Sequence, residues 1–308
     1  MSATSQTRTM PHPAGRRRRR MRLPRGLLAI PPTLYVLALL LGPIVLIGLY
    51  SFNLKTQYPG MPTAFSTTDW HDFLRGAHNV FRARFIYSMK VTLIVSVGCV
   101  LAAYPLAYYL AFVARARRYT LLLLILAPFF TSYLLRVIAW RIILSNNGVV
   151  DWILWHVHLT DKGHPPSWLI FSNFSVGLVL FYTWVPFVAL PIFVVLENMD
   201  RRVLEAAQDL GATSFTAFLR VTLPLSLPGV MAGFVFVLIP TTGEFIAPLL
   251  VGGPSNYMFG NAIQSLFAST ADWNYGSVLA LWLVAVVVVL MIVFGRYLSA
   301  DLQEPEAT

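Results

Sequence analysis

"EAAQDLGATSFTAFLRVTLP", residues 205–224, is a polar island in a strongly apolar chain. Asp200, just ahead of it, can cap a helix by accepting from the free amides of the first turn. Val203, Ala206, Ala207 and Leu210 then recur at i, i+3, i+4 and i+7, one apolar stripe of a short helix. Arg202, Glu205 and Asp209 take the other face. Gly211 stands where a helix C-terminus calls for a left-handed residue, which glycine adopts without steric cost. Thr213 or Ser214 can cap a second short helix carrying Phe215, Phe218 and Leu219, and Pro224 and Pro228 are expected to close the segment. Two short amphipathic helices at an angle make a projecting knuckle with an apolar side. Such an element either lies on lipid headgroups or is grasped by a partner protein.

The surroundings of this island fix the solvent. The chain is 57% hydrophobic and only 12% charged over 308 residues, with a mean hydropathy of +0.66. Soluble proteins carry about a quarter charged residues, so lipid is the main solvent. A helix crosses the hydrocarbon core with about 20 apolar residues. Six stretches qualify, at about residues 27–50, 85–113, 119–144, 173–196, 228–251 and 276–298. The prolines inside them are tolerated, because neighbouring helices satisfy the carbonyls that proline frees.

A formal net charge of +10 would suggest nucleic acid in a soluble chain. In a membrane protein, Lys and Arg collect on cytoplasmic loops instead, so no nucleic-acid partner is expected. The arginines at 16–20, Arg22 and Arg25 precede the first span and hold the N-terminus inside. Alternate crossing places Ala114 to Arg118, Arg201, Arg202, Arg220 and Arg296 on the same side, giving an N-in, C-in topology. Arg75, Arg82, Arg84 and Lys90 in or near the first outer loop run against this, but long loops carry less topological weight. The first apolar run exceeds a signal-peptide core and no small-residue cleavage site follows, so a retained helix is expected. The single Cys99 permits no intrachain disulfide.

No phosphate-binding G-x-x-x-x-G-K-[ST] occurs, and no histidine pair has metalloprotease spacing. His156 and His158 read as ordinary solvated histidines rather than metal ligands. The spans hold no paired carboxylates or nucleophile–base set, so no enzyme is expected.

The spacing of the island resembles a known family. Glu205-Ala206-Ala207, then Gly211 four residues after the second alanine, then Val221-Thr222-Leu223-Pro224 ten residues further on, is similar to the EAA loop of importer-type ABC permeases. Val221 stands where the family pattern has isoleucine. "TSYLLRVIAWRIILSNNGVVDWIL" (131–154), "FYTWVPFVALPIF" (181–193) and "GEFIAPLLVGGPSN" (243–256) look like the permease subunits of spermidine/putrescine importers. The resemblance implies an all-α membrane protein of six transmembrane helices in a multi-pass bacterial inner-membrane location. Residues 1–26 would be a disordered basic cytoplasmic segment, 27–299 the permease domain with its loop at 200–224, and 300–308 a cytoplasmic tail. It implies a second homologous permease, an ATPase dimer, an extracytoplasmic substrate-binding protein and the lipid bilayer as partners. ATP and Mg would be bound by the ATPase, with no cofactor or metal on this chain. Glu205, Ala206, Ala207, Gly211, Leu223 and Pro224 would belong to the short coupling helices that dock in a cleft of that ATPase. The permeases would then rock between inward-facing and outward-facing states.

The cargo has to be read from ionisable groups inside the spans, where they are expensive and usually functional. Glu244 lies in the fifth span among the helix breakers Pro240, Gly243 and Pro248. Its carboxylate could attract a cationic solute such as a polyamine. Alternatively it pairs with Arg136 or Arg141, or accepts from backbone amides. Asp272, Trp273 and Tyr275 could offer a carboxylate and aromatic faces to an ammonium group, or be loop residues facing the binding protein. Tyr108 could line the route or simply pack between helices. The competing functions are an ABC permease for another organic cation, ferric iron or a sulfate-like anion, and an ion-coupled secondary carrier.

Overall fold

The computed structural model describes residues 25–52, 65–76, 79–160 and 166–301. The basic segment before Arg25 and the tail after Asp301 lie outside the described residues. The described residues divide into two units, one up to Leu46 and one from Ile47 onward. The first contains most of helix α1 (Arg25–Ser51), which carries Pro31, Pro32 and Pro43 and is apolar on all sides.

The regular structure of the second unit is helical throughout its described residues. It contains α2 (Thr68–Arg75), α3 (Asn79–Tyr108, prolonged by a π-helical turn Tyr109–Val113), α4 (Arg118–Leu126), α5 (Tyr133–Leu144) and α6 (Val149–His156). Then follow α7 (Asn173–Glu197), α8 (Arg201–Asp209), α9 (Ser214–Ala217), α10 (Leu223–Thr242), α11 (Phe259–Ala268) and α12 (Trp273–Asp301). Six helical stretches among the described residues are long and apolar enough to cross a membrane: Ile30–Ser51, Val80–Val113, Tyr133–His156, Asn173–Glu197, Ser214–Thr242 and Trp273–Arg296. The third differs from the expected 119–144. The run is broken at residues 131–132 and again at 145–148, so a shorter apolar helix, Arg118–Phe130, precedes it.

The core forms where α3, α7 and α10 meet. The buried face of α3 is a run of small side chains, Ser88, Thr92, Ser96, Cys99, Ala103 and Ala107, recurring every three or four residues. Small residues let membrane helices approach closely, so van der Waals contact replaces the hydrophobic drive that lipid cannot supply. The α7–α10 contact uses the same device. Gly229 and Gly233 form a G-x-x-x-G pair on α10, a signal available in the sequence. A Cβ at Gly229 would meet the Pro191 carbonyl oxygen at 2.8 Å, and one at Gly233 would meet Val188 Cγ1 at 2.9 Å. Gly233→Leu is therefore expected to force the two spans apart and destabilise the bundle by about 1–3 kcal/mol. A lowered thermal midpoint in detergent, with Gly177→Leu unaffected, would show it; Gly177 has open space beside it.

The fifth span departs from its expected boundaries of 228–251. It begins at Ser214 and ends at Thr242, because Pro224 and Pro228 do not stop it. α9 runs through a π-helical turn, Phe218–Thr222, into α10. The Leu223 amide donates to the Phe218 carbonyl five residues back, and Pro224 falls in the first turn of α10, where a missing N–H is tolerated. At the other end, residues 243–245 break the chain before a π-helical turn, Pro248–Gly252, and then α11. Gly260 at the start of α11 lies so close to this break that a Cβ would meet the Gly243 carbonyl oxygen at 2.6 Å and that of Glu244 at 2.8 Å.

The basic residues Arg118, Arg201, Arg202, Arg220 and Arg296 lie at the span ends that face the knuckle, and the positive-inside rule makes this the cytoplasmic side. The discordant Arg84 has a structural use. It donates to the carbonyl oxygens of Ser255 (2.9 Å), Tyr257 (3.0 Å) and Pro254 (3.3 Å), pinning the segment before α11.

Candidate functional site

The knuckle forms as local chemistry dictates. The Arg202 amide donates to Asp200 Oδ1 at 3.0 Å, which starts α8. Gly211 adopts φ +88°. Its amide donates to the Gln208 carbonyl at 2.8 Å, and the Ala212 amide donates to that of Ala207 at 3.0 Å. These two bonds with a left-handed residue between them make a Schellman stop. The choice between Thr213 and Ser214 resolves to Thr213, whose hydroxyl accepts from the Thr216 amide at 3.2 Å.

Most of the apolar stripe of α8 finds no cover among the described residues. Leu210 is 90% exposed and Phe215 on the second arm 71%, beside exposed Val203 and Ala206. Between the arms lies an open hollow of about 420 Å³ lined by Ala207, Leu210, Gly211, Thr213, Ala217 and Arg220. Large apolar side chains held out from a rigid turn mark a contact surface, and Ala206 and Ala207 are small enough to admit a partner backbone. Asp200 provides the cap, so Glu205 is left exposed, with no hydrogen bond among the described residues. Leu223 and Pro224 lie at the root of the second arm, within the continuous helix rather than at a loop end.

The knuckle is tied down at its base by groups that the spacing of residues 205–224 does not reveal. Arg201 Nη2 donates to the Ala111 carbonyl at 3.1 Å and its guanidinium lies 5.6 Å from the Phe112 ring centroid. Arg118 pairs with Glu197 at 2.8 Å, and the Tyr119 hydroxyl donates to the same carboxylate. On the other arm Phe218 meets the rings of Tyr104 at 5.7 Å and Tyr108 at 5.8 Å, while the Tyr104 and Ser226 hydroxyls bond at 2.8 Å. Tyr108, a candidate for the solute route, thus packs under the knuckle. The contacts join residues about 80 to 120 positions apart, beyond the reach of local pattern. The knuckle is thus bonded to the end of α3 and continuous with α10.

The other candidates are placed as follows. Glu244 is buried, and its Oε1 accepts from the amides of Phe245 (3.0 Å), Ile246 (2.8 Å) and Ala247 (3.2 Å). Of the alternatives open from sequence, the backbone-bonded one describes this carboxylate. Asn261 Nδ2 donates to the Phe245 carbonyl at 2.7 Å and holds the same break from the other side. The Asp272 carboxylate caps α12 by accepting from the Tyr275 amide at 3.1 Å. Trp273 stacks with Phe267 and Tyr50. Tyr275 is buried against Phe81, so these three do not converge as an open aromatic box. His156 Nδ1 lies 2.9 Å from the Trp152 carbonyl oxygen, and no group of three metal-ligating side chains occurs among the described residues.

Arg136 is the feature that sequence undervalued. Its Nε and Nη1 are buried without a hydrogen-bond partner among the described residues, and its guanidinium lies 4.4 Å from the Phe129 ring centroid. It faces a hollow of about 310 Å³ lined also by Phe129, Trp140, Phe181 and Tyr182.

Residues 82–306 match the family described as binding-protein-dependent transport system inner membrane component. The spermidine/putrescine transport system permease protein PotB of Escherichia coli (strain K12) is 33% identical over 211 residues, covering 68% of this chain and 76% of that protein. A crystal structure of a bacterial ABC transporter involved in the import of the acidic polysaccharide alginate is similar with a TM-score of 0.69 and 18% identity, over 89% of this chain and 94% of that one. The bacterial alginate ABC transporter in complex with its alginate pentasaccharide-bound periplasmic protein is similar with a TM-score of 0.63 and 17% identity, over 92% and 96%. At these identities the two structures speak for the fold.

Proposed function

The chain belongs to the binding-protein-dependent transport system inner membrane components, and from that premise we propose that it imports polyamines, driven through its knuckle by a separate ATPase. Membership makes it a multi-pass inner-membrane permease subunit of an ABC importer and not an enzyme. Spermidine or putrescine as cargo is supported by the 33% identity to the PotB permease. The observation that carries the coupling role is the exposed apolar knuckle, built on a glycine at φ +88° and bonded to α3 at its base. A partner that closes on ATP and Mg would move this knuckle as a rigid body, biasing two states of the permease. The other partners proposed are a second permease completing the pathway and an extracytoplasmic binding protein, such as the one seated on the alginate transporter. This chain holds no cofactor of its own in that scheme.

A second reading of the cargo is an anion. The buried Arg136 guanidinium, with Nε and Nη1 unbonded and facing an aromatic hollow, favours it, and Glu244 already has one carboxylate oxygen engaged by three amides. One experiment separates the two. The chain is purified with its second permease and ATPase in nanodiscs, and ATP hydrolysis is followed as binding protein is added with spermidine, putrescine, sulfate or molybdate. Stimulation by the polyamine-loaded protein alone is expected. Stimulation by an anion-loaded protein would overturn the polyamine reading and leave the coupling role standing.

A further inference from the structure

We propose that the hollow between α2, α3 and α12 binds an anionic phospholipid, with its phosphate on Arg82 and an acyl chain in the apolar slot below. The hollow measures about 290 Å³ and is lined by Phe73 and Leu74 of α2, Arg82, Phe85 and Ile86 of α3, and Trp282 of α12. Its floor is aromatic: Trp282 meets Phe73 at 5.5 Å and Phe85 at 6.1 Å. Leu74 is 60% exposed and Ile86 52%, so the slot opens sideways, where a lipid chain would enter.

Three observations select the occupant. The first is depth. α2 (TDWHDFLR) packs Phe73 against Trp282 and ends five residues before the span Val80–Val113 begins, which puts it near the outer headgroup level. Arg82 is at that level, two residues inside the start of the span Val80–Val113. Trp282 is nine residues into the span Trp273–Arg296, about 10 Å deeper than Arg82 at the helical rise. The hollow therefore runs from headgroup level into the hydrocarbon, as a phospholipid does. The second is charge. Arg82 is exposed and no acid pairs with it among the described residues, whereas Arg84 beside it is saturated by three carbonyls. The acids of α2, Asp69 and Asp72, lie within electrostatic reach of Tyr275. The third is polarity. A free phosphate could use Arg82 but would leave the aromatic slot empty, so a molecule with both parts fits better. The site is in the leaflet opposite the knuckle and is independent of what the transporter carries.

The test is native mass spectrometry of the purified transporter, after partial delipidation, with phosphatidylglycerol, phosphatidylethanolamine or inorganic phosphate added. Phosphatidylglycerol should be retained in preference to phosphatidylethanolamine. Arg82→Gln should lower its retention about fivefold, as expected for one cation at a membrane surface, and Arg82→Lys should restore it. Equal retention of the two lipids, retention of phosphatidylglycerol unchanged in Arg82→Gln, or displacement of the lipid by inorganic phosphate would overturn the proposal. So would a Leu74→Cys cross-link to the second permease in the intact assembly, which would show a protein covering the slot. Arg82 is exposed and makes no tertiary hydrogen bond among the described residues, so these variants are expected to fold.

Discussion

Gly211→Asp is expected to abolish uptake while the chain still inserts and assembles with its lipid-facing bundle intact. No atom lies within 4 Å of where a Cβ would stand at Gly211, so the effect is not a clash. It comes first from φ +88°, which costs an ordinary L-residue roughly 1–2 kcal/mol. That cost falls on an element fastened mainly by the Gly211 and Ala212 amide bonds and the Thr213 cap, so the angle between the arms is what relaxes. Aspartate tolerates the left-handed region better than most residues, and its larger effect is chemical. It places a carboxylate in the hollow beside Leu210 and Ala207, a surface that must be desolvated for a partner to close on it, and an unpaired buried charge is costly. Gly211→Ala, with strain but no charge, should retain part of the activity. Membrane abundance, uptake and ATPase stimulation measured together would check this. Wild-type uptake by the Gly211→Asp transporter would remove the knuckle from the coupling path.

Glu244→Ala is expected to destabilise the protein by about 3 kcal/mol or more, since it leaves three amides without an acceptor and a hydrogen bond to a charged group contributes roughly 1.5–3 kcal/mol. Those amides begin the turn after the break at residues 243–245, onto which the first turn of α11 packs at Gly260. Glu244→Gln keeps one oxygen in the accepting position and should retain most of the stability and most of the uptake. This differs from what the residue suggests in sequence, where a mid-span acid implies that Gln should impair transport first. Thermal midpoints in detergent beside uptake in vesicles decide it. A Glu244→Gln protein with an unchanged midpoint and lost uptake would return the carboxylate to the cargo.

Much of the knuckle was legible without coordinates because its determinants act within one helical turn. Asp200 caps two residues on, Gly211 closes the helix behind it, and Thr213 caps three residues on. Only backbone sterics and the unsatisfied groups of helix ends are needed to foresee them. The prolines misled for the same reason. Pro224 and Pro228 look like stops under local rules, but a π-helical turn and the first-turn position absorb the missing donor of Pro224, α10 continues through Pro228 in its interior, and the fifth span starts ten or more residues early.

Composition and the periodicity of its short segments determined that this chain lives in lipid, crosses it six times and projects a capped, glycine-hinged knuckle on its positive side. Tertiary structure decided what each polar group inside the membrane does. Glu244 is bonded to its own backbone, Arg84 to carbonyls some 170 residues away, Arg201 to α3 across 90 residues, and Arg136 lies over the Phe129 ring with Nε and Nη1 unbonded. In a medium without water a polar side chain takes whatever partner the fold brings near, and sequence spacing carries no information on partners that distant.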